Sequence, residues 1–224
     1  MQRGLPYRPN FYLYTKIQIM LIIGIAGGSG CGKTTVVREI IKRLPKNSVA
    51  VIPQDAYYWD NGHLSAAEKL SINFDHPNSI EWSLLVEHID ALKRGESIEM
   101  PVYSYIDCAR LNETITIEPR KVIIVEGILI YSDPALMQRL DIKVFVDAEG
   151  DERLMRIIRR DTVERGRDPM KVLEHYTRWV KPMHLQFIEP TKRNSDIIVP
   201  QGGENKVAID ILASRIRMKL ESGD

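Results

Sequence analysis

Cysteine is scarce in this chain: Cys31 and Cys108 are its two thiols. A pair cannot build a disulfide framework or a thiolate-only zinc site, and such usage fits a reducing, cytoplasmic setting. Charge of one sign is also lacking. Thirty-one Lys and Arg face 30 Asp and Glu, a net charge of +1. With no acidic or basic tail, bulk charge gives no reason to expect nucleic acid or a membrane surface as partner. No apolar run reaches the roughly 20 residues that a membrane-spanning helix needs. Internal repeats and low-complexity tracts are missing too. What remains is an ordinary globular balance, 44% apolar and 27% charged over 224 residues, enough to bury a core without staples.

The N-terminus could be misread. Arg3, Arg8 and Lys16 precede the apolar run from Ile19 to Ala26, in the manner of a signal peptide. That run leads without a break into a glycine-rich motif that needs a strand before it, so the strand reading is preferred. Residues 1–19, with Pro6 and Pro9, show no period and are expected to form a loose extension. One domain is expected over residues 20–220, and Met20 stands at its head.

Short β-rich runs alternate with longer stretches of helical period, which argues for parallel βαβ units. Strands are predicted at 21–26, 49–52, 122–125, 142–146 and 197–199. Helices are predicted at 33–44, 80–93, 151–164 and 204–220, with short ones opened by the capping box Ser65-Ala66-Ala67-Glu68 and by Asp133-Pro134 and Asp168-Pro169. Residues 102–106 and 114–117 read as a β-hairpin. The sum is an α/β chain with a doubly wound, five-stranded parallel sheet of the P-loop type, carrying an inserted hairpin arm.

Gly27-Gly28-Ser29-Gly30-Cys31-Gly32-Lys33-Thr34 matches the phosphate-loop pattern G-x-x-x-x-G-K-[ST]. Glycines let backbone N–H groups turn inward around phosphate oxygens, and the following helix adds its N-terminal donors. Lys33 is placed to reach the β- and γ-phosphates, the Thr34 hydroxyl to ligate Mg²⁺, and Thr35 to continue the loop's contacts. Cys31 reads as a small filler within the loop. Asp147-Ala148-Glu149-Gly150 resembles the DxxG of GTPases, but Asn205-Lys206-Val207-Ala208 lacks the aspartate that reads guanine.

Asp55 lies just past the second strand, where a doubly wound sheet opens onto the same crevice as the loop. A carboxylate there can take a proton from an attacking hydroxyl. Glu126 ends the apolar strand Val122-Ile123-Ile124-Val125, the place of an acid beside Mg²⁺. Arg153, Arg156, Arg159, Arg160, Arg165 and Arg167 crowd one segment. Interleaved acids make Arg153 and Arg156 read as solvated helix pairs. Arg165-Gly166-Arg167 reads as the hinge of a lid over phosphates.

These residues, together with Gln54-Asp55, Asn73-Phe74-Asp75-His76-Pro77, Pro101-Val102-Tyr103-Ser104-Tyr105, Val125-Glu126-Gly127 and Glu164-Arg165-Gly166-Arg167, make the chain resemble the bacterial uridine kinases from about Met20 to Leu220. The resemblance implies transfer of phosphate from ATP or GTP to the 5′-hydroxyl of uridine or cytidine, in pyrimidine salvage, by a homotetramer. It makes Asp55 the general base and Asp75 the holder of the ribose hydroxyls. Phe74, Tyr103 and Tyr105 would wall the base, Arg167 would reach it, and Arg160 and Arg165 would approach phosphates. At three pocket positions the chain departs from the family: Cys108 replaces a base-reading His, Ile157 a ribose-contacting Arg, and His175 a Gln. Two other functions remain open on the residues alone. One is a kinase for another hydroxylated small molecule, in the manner of phosphoribulokinases; the other is a nucleotide-binding regulator without activity.

Overall fold

The computed structural model describes residues 20–69 and 71–222; the extension expected at residues 1–19 lies outside them. The chain runs through β1 (Leu21–Ala26), α1 (Lys33–Ile41), β2 (Val49–Pro53), α2 (Ala66–Lys69) and α3 (Trp82–Lys93). A hairpin follows, β3 (Ile98–Ser104) and β4 (Ala109–Ile117), and then β5 (Val122–Gly127), α4 (Pro134–Met137), β6 (Ile142–Asp147) and α5 (Gly150–Val163). A broken helical run starts with α6 (Pro169–His175), passes through α7 (Lys181–Met183), and leads to β7 (Ile197–Pro200) and α8 (Lys206–Glu221).

Five strands pair in the order β2-β5-β1-β6-β7, all parallel. The central strands β1 and β5 are almost wholly apolar and buried because helices cover both sides, as parallel strands joined by crossovers require, whereas Lys143 and Asp147 interrupt β6 and Ile198 of the edge strand β7 is exposed. Side chains alternate between the two layers. Ile22, Ile52 and Ile123 pack with Leu85 and Ile89 of α3. Ile23, Ile25 and Ile124 pack with Val36 and Ile40 of α1 and Ile209 and Leu212 of α8. Each such fully buried side chain contributes about 1.5–3 kcal/mol.

The predicted caps form. The Asp133 carboxylate accepts from the Leu136 N–H at 2.7 Å, and that of Asp168 from the N–H groups of Met170 at 2.9 Å and Lys171 at 3.2 Å. Ser65 and Glu68 cap each other reciprocally. Two regions differ from expectation. The hairpin is longer than predicted, taking in 98–101 and 109–113 as well, while Tyr105 and Ile106, expected in its first strand, lie in its turn. Its register shifts between Pro101 and Tyr103, next to a residue with no N–H to donate. After α6 the chain stays helical to Asn194, with wide π-type turns at Tyr176–Val180 and His184–Ile188. Pro182 lies between them and removes one donor from the ladder.

Candidate active site

β1 ends at Ala26 and α1 begins at Lys33, so residues 27–32 form the turn between them. Gly27 has φ 145° and its Cα faces the end of β6: an added Cβ would lie 2.3 Å from the Val146 carbonyl oxygen. Around Gly28 a Cβ would lie 2.4 Å from Nη1 of Arg153 and 2.8 Å from Nδ1 of His184. The loop is therefore wedged between β6 and α5. Cys31 is fully buried, as a filler. Lys33 curls back to donate from Nζ to the Gly28 carbonyl at 3.3 Å. The hydroxyl of Thr34 donates to the Glu126 carboxylate, 3.1 Å from Oε2 and 3.3 Å from Oε1. Ser29, Gly30, Gly32 and Thr35 are partly exposed along the same turn.

Strand register brings the acids to this edge. Ala26 pairs with Gly127, and Pro53 with Glu126. Gln54, fully buried, accepts the Leu129 N–H at 2.7 Å and so pins the residue that follows, Asp55. Burial raises the Glu126 carboxyl above the usual range, with the Asp55 charge adding and Lys33 opposing. Asp75 is 7% exposed and burial lifts its carboxyl to about 6, again helped by Asp55 and opposed by Lys33 and Arg160. The charges of Asp55 and Lys33 thus act on both Asp75 and Glu126.

Above Asp55 stands an aromatic wall. Tyr58 is its centre, with ring centroids 5.2 Å from Phe74, 5.3 Å from Tyr103 and 6.3 Å from Tyr105. The Tyr105 hydroxyl donates to Oδ2 of Asp55, and the Arg165 guanidinium sits 5.2 Å above the Tyr105 ring. Burial pushes the Tyr103 phenol up to about 12. Cys108 lies in the hairpin turn with φ 49°, its thiol 3.6 Å from the Tyr105 carbonyl. The arm is tied down by Arg110, which donates from Nε to the Tyr58 carbonyl at 3.0 Å and pairs with Glu81 at 2.6 Å.

Arg160, Arg165 and Arg167 all converge on Asp161, at 2.8, 3.3 and 3.1 Å. His175 stands next to this group, its imidazole lowered by burial and then by the Arg167 charge. Ile157 is buried with Val172, Tyr176 and Val180. The solvated pairing expected of the first arginines holds in part for Arg156, which pairs with Glu152 at 3.5 Å. It fails for Arg153, which is 6% exposed and donates to the Ser29 carbonyl at 3.4 Å. The buried face of α5 is Arg153, Ile157 and Asp161, spaced by four. Apolar periodicity sees one of those three; the i, i+4, i+8 spacing itself was the available signal. Tyr58 and His184 had no signal in the sequence, since each is placed by elements far apart in the chain.

A phosphate loop facing two carboxylates at the carboxyl edge of a doubly wound parallel sheet defines a P-loop phosphotransferase. The sequence model of the Phosphoribulokinase / Uridine kinase family matches residues 22–208. The chain is 50% identical over 201 residues to a uridine kinase of Halalkalibacterium halodurans, covering 90% of this chain and 95% of that one. It is 49% identical over 205 residues to a uridine kinase of Escherichia coli (strain K12), covering 90% and 96%. A crystal structure of a putative fructose transport system kinase from Silicibacter shares the fold, with TM-score 0.65 and 19% identity over 81% of this chain and 90% of that one. The chain belongs to the phosphoribulokinase and uridine kinase family, and it is a kinase.

Proposed function

We propose that the chain transfers the γ-phosphoryl group of ATP to the 5′-hydroxyl of uridine, and of cytidine, in pyrimidine salvage. The observation that carries this reading is Asp55, placed between the phosphate-loop edge and the aromatic wall, where its charge is felt by both Glu126 and Asp75. Asp55 takes the proton of the 5′-hydroxyl as that oxygen bonds to the γ-phosphorus. The bond from the γ-phosphorus to the bridging oxygen breaks, ADP leaves, and Asp55 returns its proton to water. Loop N–H groups and Lys33 hold the phosphates, and Lys33 must swing from the Gly28 carbonyl to do so. Asp75 accepts from the ribose diol, and Phe74 and Tyr103, backed by the buried Tyr58, offer flat apolar faces to the base.

Thr34 and Glu126 form an all-oxygen pair at the loop, which suits a hard cation. No cluster of three or more His, Cys, Asp and Glu able to hold a metal occurs among the described residues. Mg²⁺ takes one or two protein oxygens plus substrate phosphates, and Thr34 and Glu126 would supply those oxygens. Bound there, Mg²⁺ supplies neutralisation of phosphate charge. GTP is a second candidate donor. No helix among the described residues is long and apolar enough to cross a membrane. A cytoplasmic homotetramer completes the proposal; exposed Leu111 and Ile115 on the arm support self-association.

The test is ADP release with uridine, cytidine, their deoxy forms and a panel of sugar phosphates. Uridine- or cytidine-dependent release with the matching monophosphate as product is expected. Release that follows a sugar phosphate instead overturns the nucleoside reading, and no release with any acceptor favours a regulator. Asp55→Asn should lower kcat by about 10²–10⁴-fold with little change in KM for ATP, because a proton acceptor acts on the chemical step.

A further inference from the structure

Asp161 is 3% exposed and lies in the last turns of α5. Nε of Arg160 donates to its Oδ1 at 2.8 Å, Nη1 of Arg165 approaches the same oxygen at 3.3 Å, and Nη1 of Arg167 donates to Oδ2 at 3.1 Å. The backbone closes in the same place: the Arg167 N–H donates to the Asp161 carbonyl at 3.0 Å, across the turn at Gly166 with φ 62°. Guanidiniums this close repel one another. One buried carboxylate offsets one of the three charges, so the group keeps a net +2. Exposed ion pairs contribute little, but a carboxylate withdrawn from water holds its partners in fixed geometry.

The cluster faces the site. The Arg160 charge acts on Asp75, and those of Arg165 and Arg160 on Tyr105. Arg165 also covers the Tyr105 ring, whose hydroxyl reaches Asp55. A double positive charge beside Tyr105, at the end of the same helix whose Arg153 and Arg156 touch the phosphate loop, matches a polyanion whose charge shifts during transfer. We infer that Asp161 is a positioning residue for phosphoryl transfer: through one oxygen it holds Arg160 and Arg165 toward the transferring phosphate, while its other oxygen holds Arg167, expected at the base. The inference rests on the kinase reading above. Asp161 touches no substrate; it acts through the arginines.

Asp161→Asn keeps the side-chain shape and removes its charge. It should lower kcat by about 10- to 100-fold, leave KM for uridine within about threefold, and weaken MgATP binding, measured by calorimetry without uridine, about tenfold. In an Arg160→Gln/Arg165→Gln background the same substitution should cost less than about threefold, since its effect on transfer runs through those two arginines. A folded Asp161→Asn whose kcat and MgATP affinity both stay within about twofold of wild type overturns the inference. An equal loss in both backgrounds does so too, because it marks a general structural defect. Should the Asn variant not fold, Asp161→Glu keeps the charge and displaces it by one methylene; the same losses support the inference and wild-type behaviour overturns it. A wild-type protein that binds MgATP but leaves uridine untouched sinks the kinase reading, while the MgATP titrations still decide on Asp161.

Discussion

Asp75 has the most costly surroundings of the site carboxylates, and its energetics can be read from its position. Burial lifts its carboxyl from 3.8 to about 6. A raised folded-state pKa means that the folded protein holds the proton more tightly than the unfolded chain. Stability from that proton is therefore full below pH 3.8 and lost as pH rises through about 6. A shift of this size corresponds to about 3 kcal/mol. The difference in unfolding free energy between Asp75→Asn and wild type should move by about that much in favour of the variant between pH 4 and pH 8, measured by urea denaturation. Function runs the other way, because an ionised carboxylate is the better acceptor for a ribose diol. In the wild type, KM for uridine should rise as pH falls below about 6. A pH-independent KM would remove Asp75 from the ribose site.

At the scale of elements, the phosphate loop is held from outside as much as from within. Its glycines were legible as phosphate-cradling positions from the motif. That Gly28 also abuts Arg153 and His184 was not, because α5 and the π-type turn at His184 reach it only in the fold. Gly28→Ala should cost about 1–3 kcal/mol through overpacking and abolish tight MgATP binding, read by thermal unfolding and calorimetry. Unchanged values would mean that Arg153 and His184 yield freely and do not brace the loop. The hairpin arm shows the opposite balance. The Thr-Ile alternation marks only its last residues, 114–117, and the exposed stretch before them follows no apolar period, so its length was underestimated. Its anchoring through Arg110 to Tyr58 and Glu81 joins residues 52 and 29 positions apart in sequence (110 less 58, and 110 less 81).

For the molecule as a whole, the sheet order places β1 at the centre, with β5 on one side and β6 on the other. The loop after β1 therefore meets Glu126 at the end of β5, the acid after β2 and the arginine helix after β6 at one edge. A ligand that binds there contacts elements from most of the chain and should stabilise the fold globally. At about 100 times its dissociation constant, MgATP should add about 2.7 kcal/mol, which raises Tm by about 5–11 °C for a domain of this size. Lys33→Ala should abolish most of that shift. An equal shift in the variant would place nucleotide binding elsewhere.

The amino-acid sequence by itself determined the phosphate loop, Asp55, Glu126, the five buried strands and the helix caps at Asp133 and Asp168. Each of these is local: spacing along the chain decides which N–H groups cluster, which side chains share a strand, and which carboxylate reaches the next turn. Tertiary structure alone decided that Tyr105 donates to Asp55, that Arg153 is buried under the loop, that Tyr58 centres the aromatic wall and that Asp161 collects Arg160, Arg165 and Arg167. The contacts of Tyr105, Arg153 and Tyr58 join residues from separate elements, and no period of 2 or 3.6 encodes them. For Asp161 the partners were near in sequence, but burial chose it over the neighbouring Glu164, which stays exposed at the surface. A carboxylate removed from water must be matched by charge and hydrogen bonds, and the arginines around it are what the fold brought there.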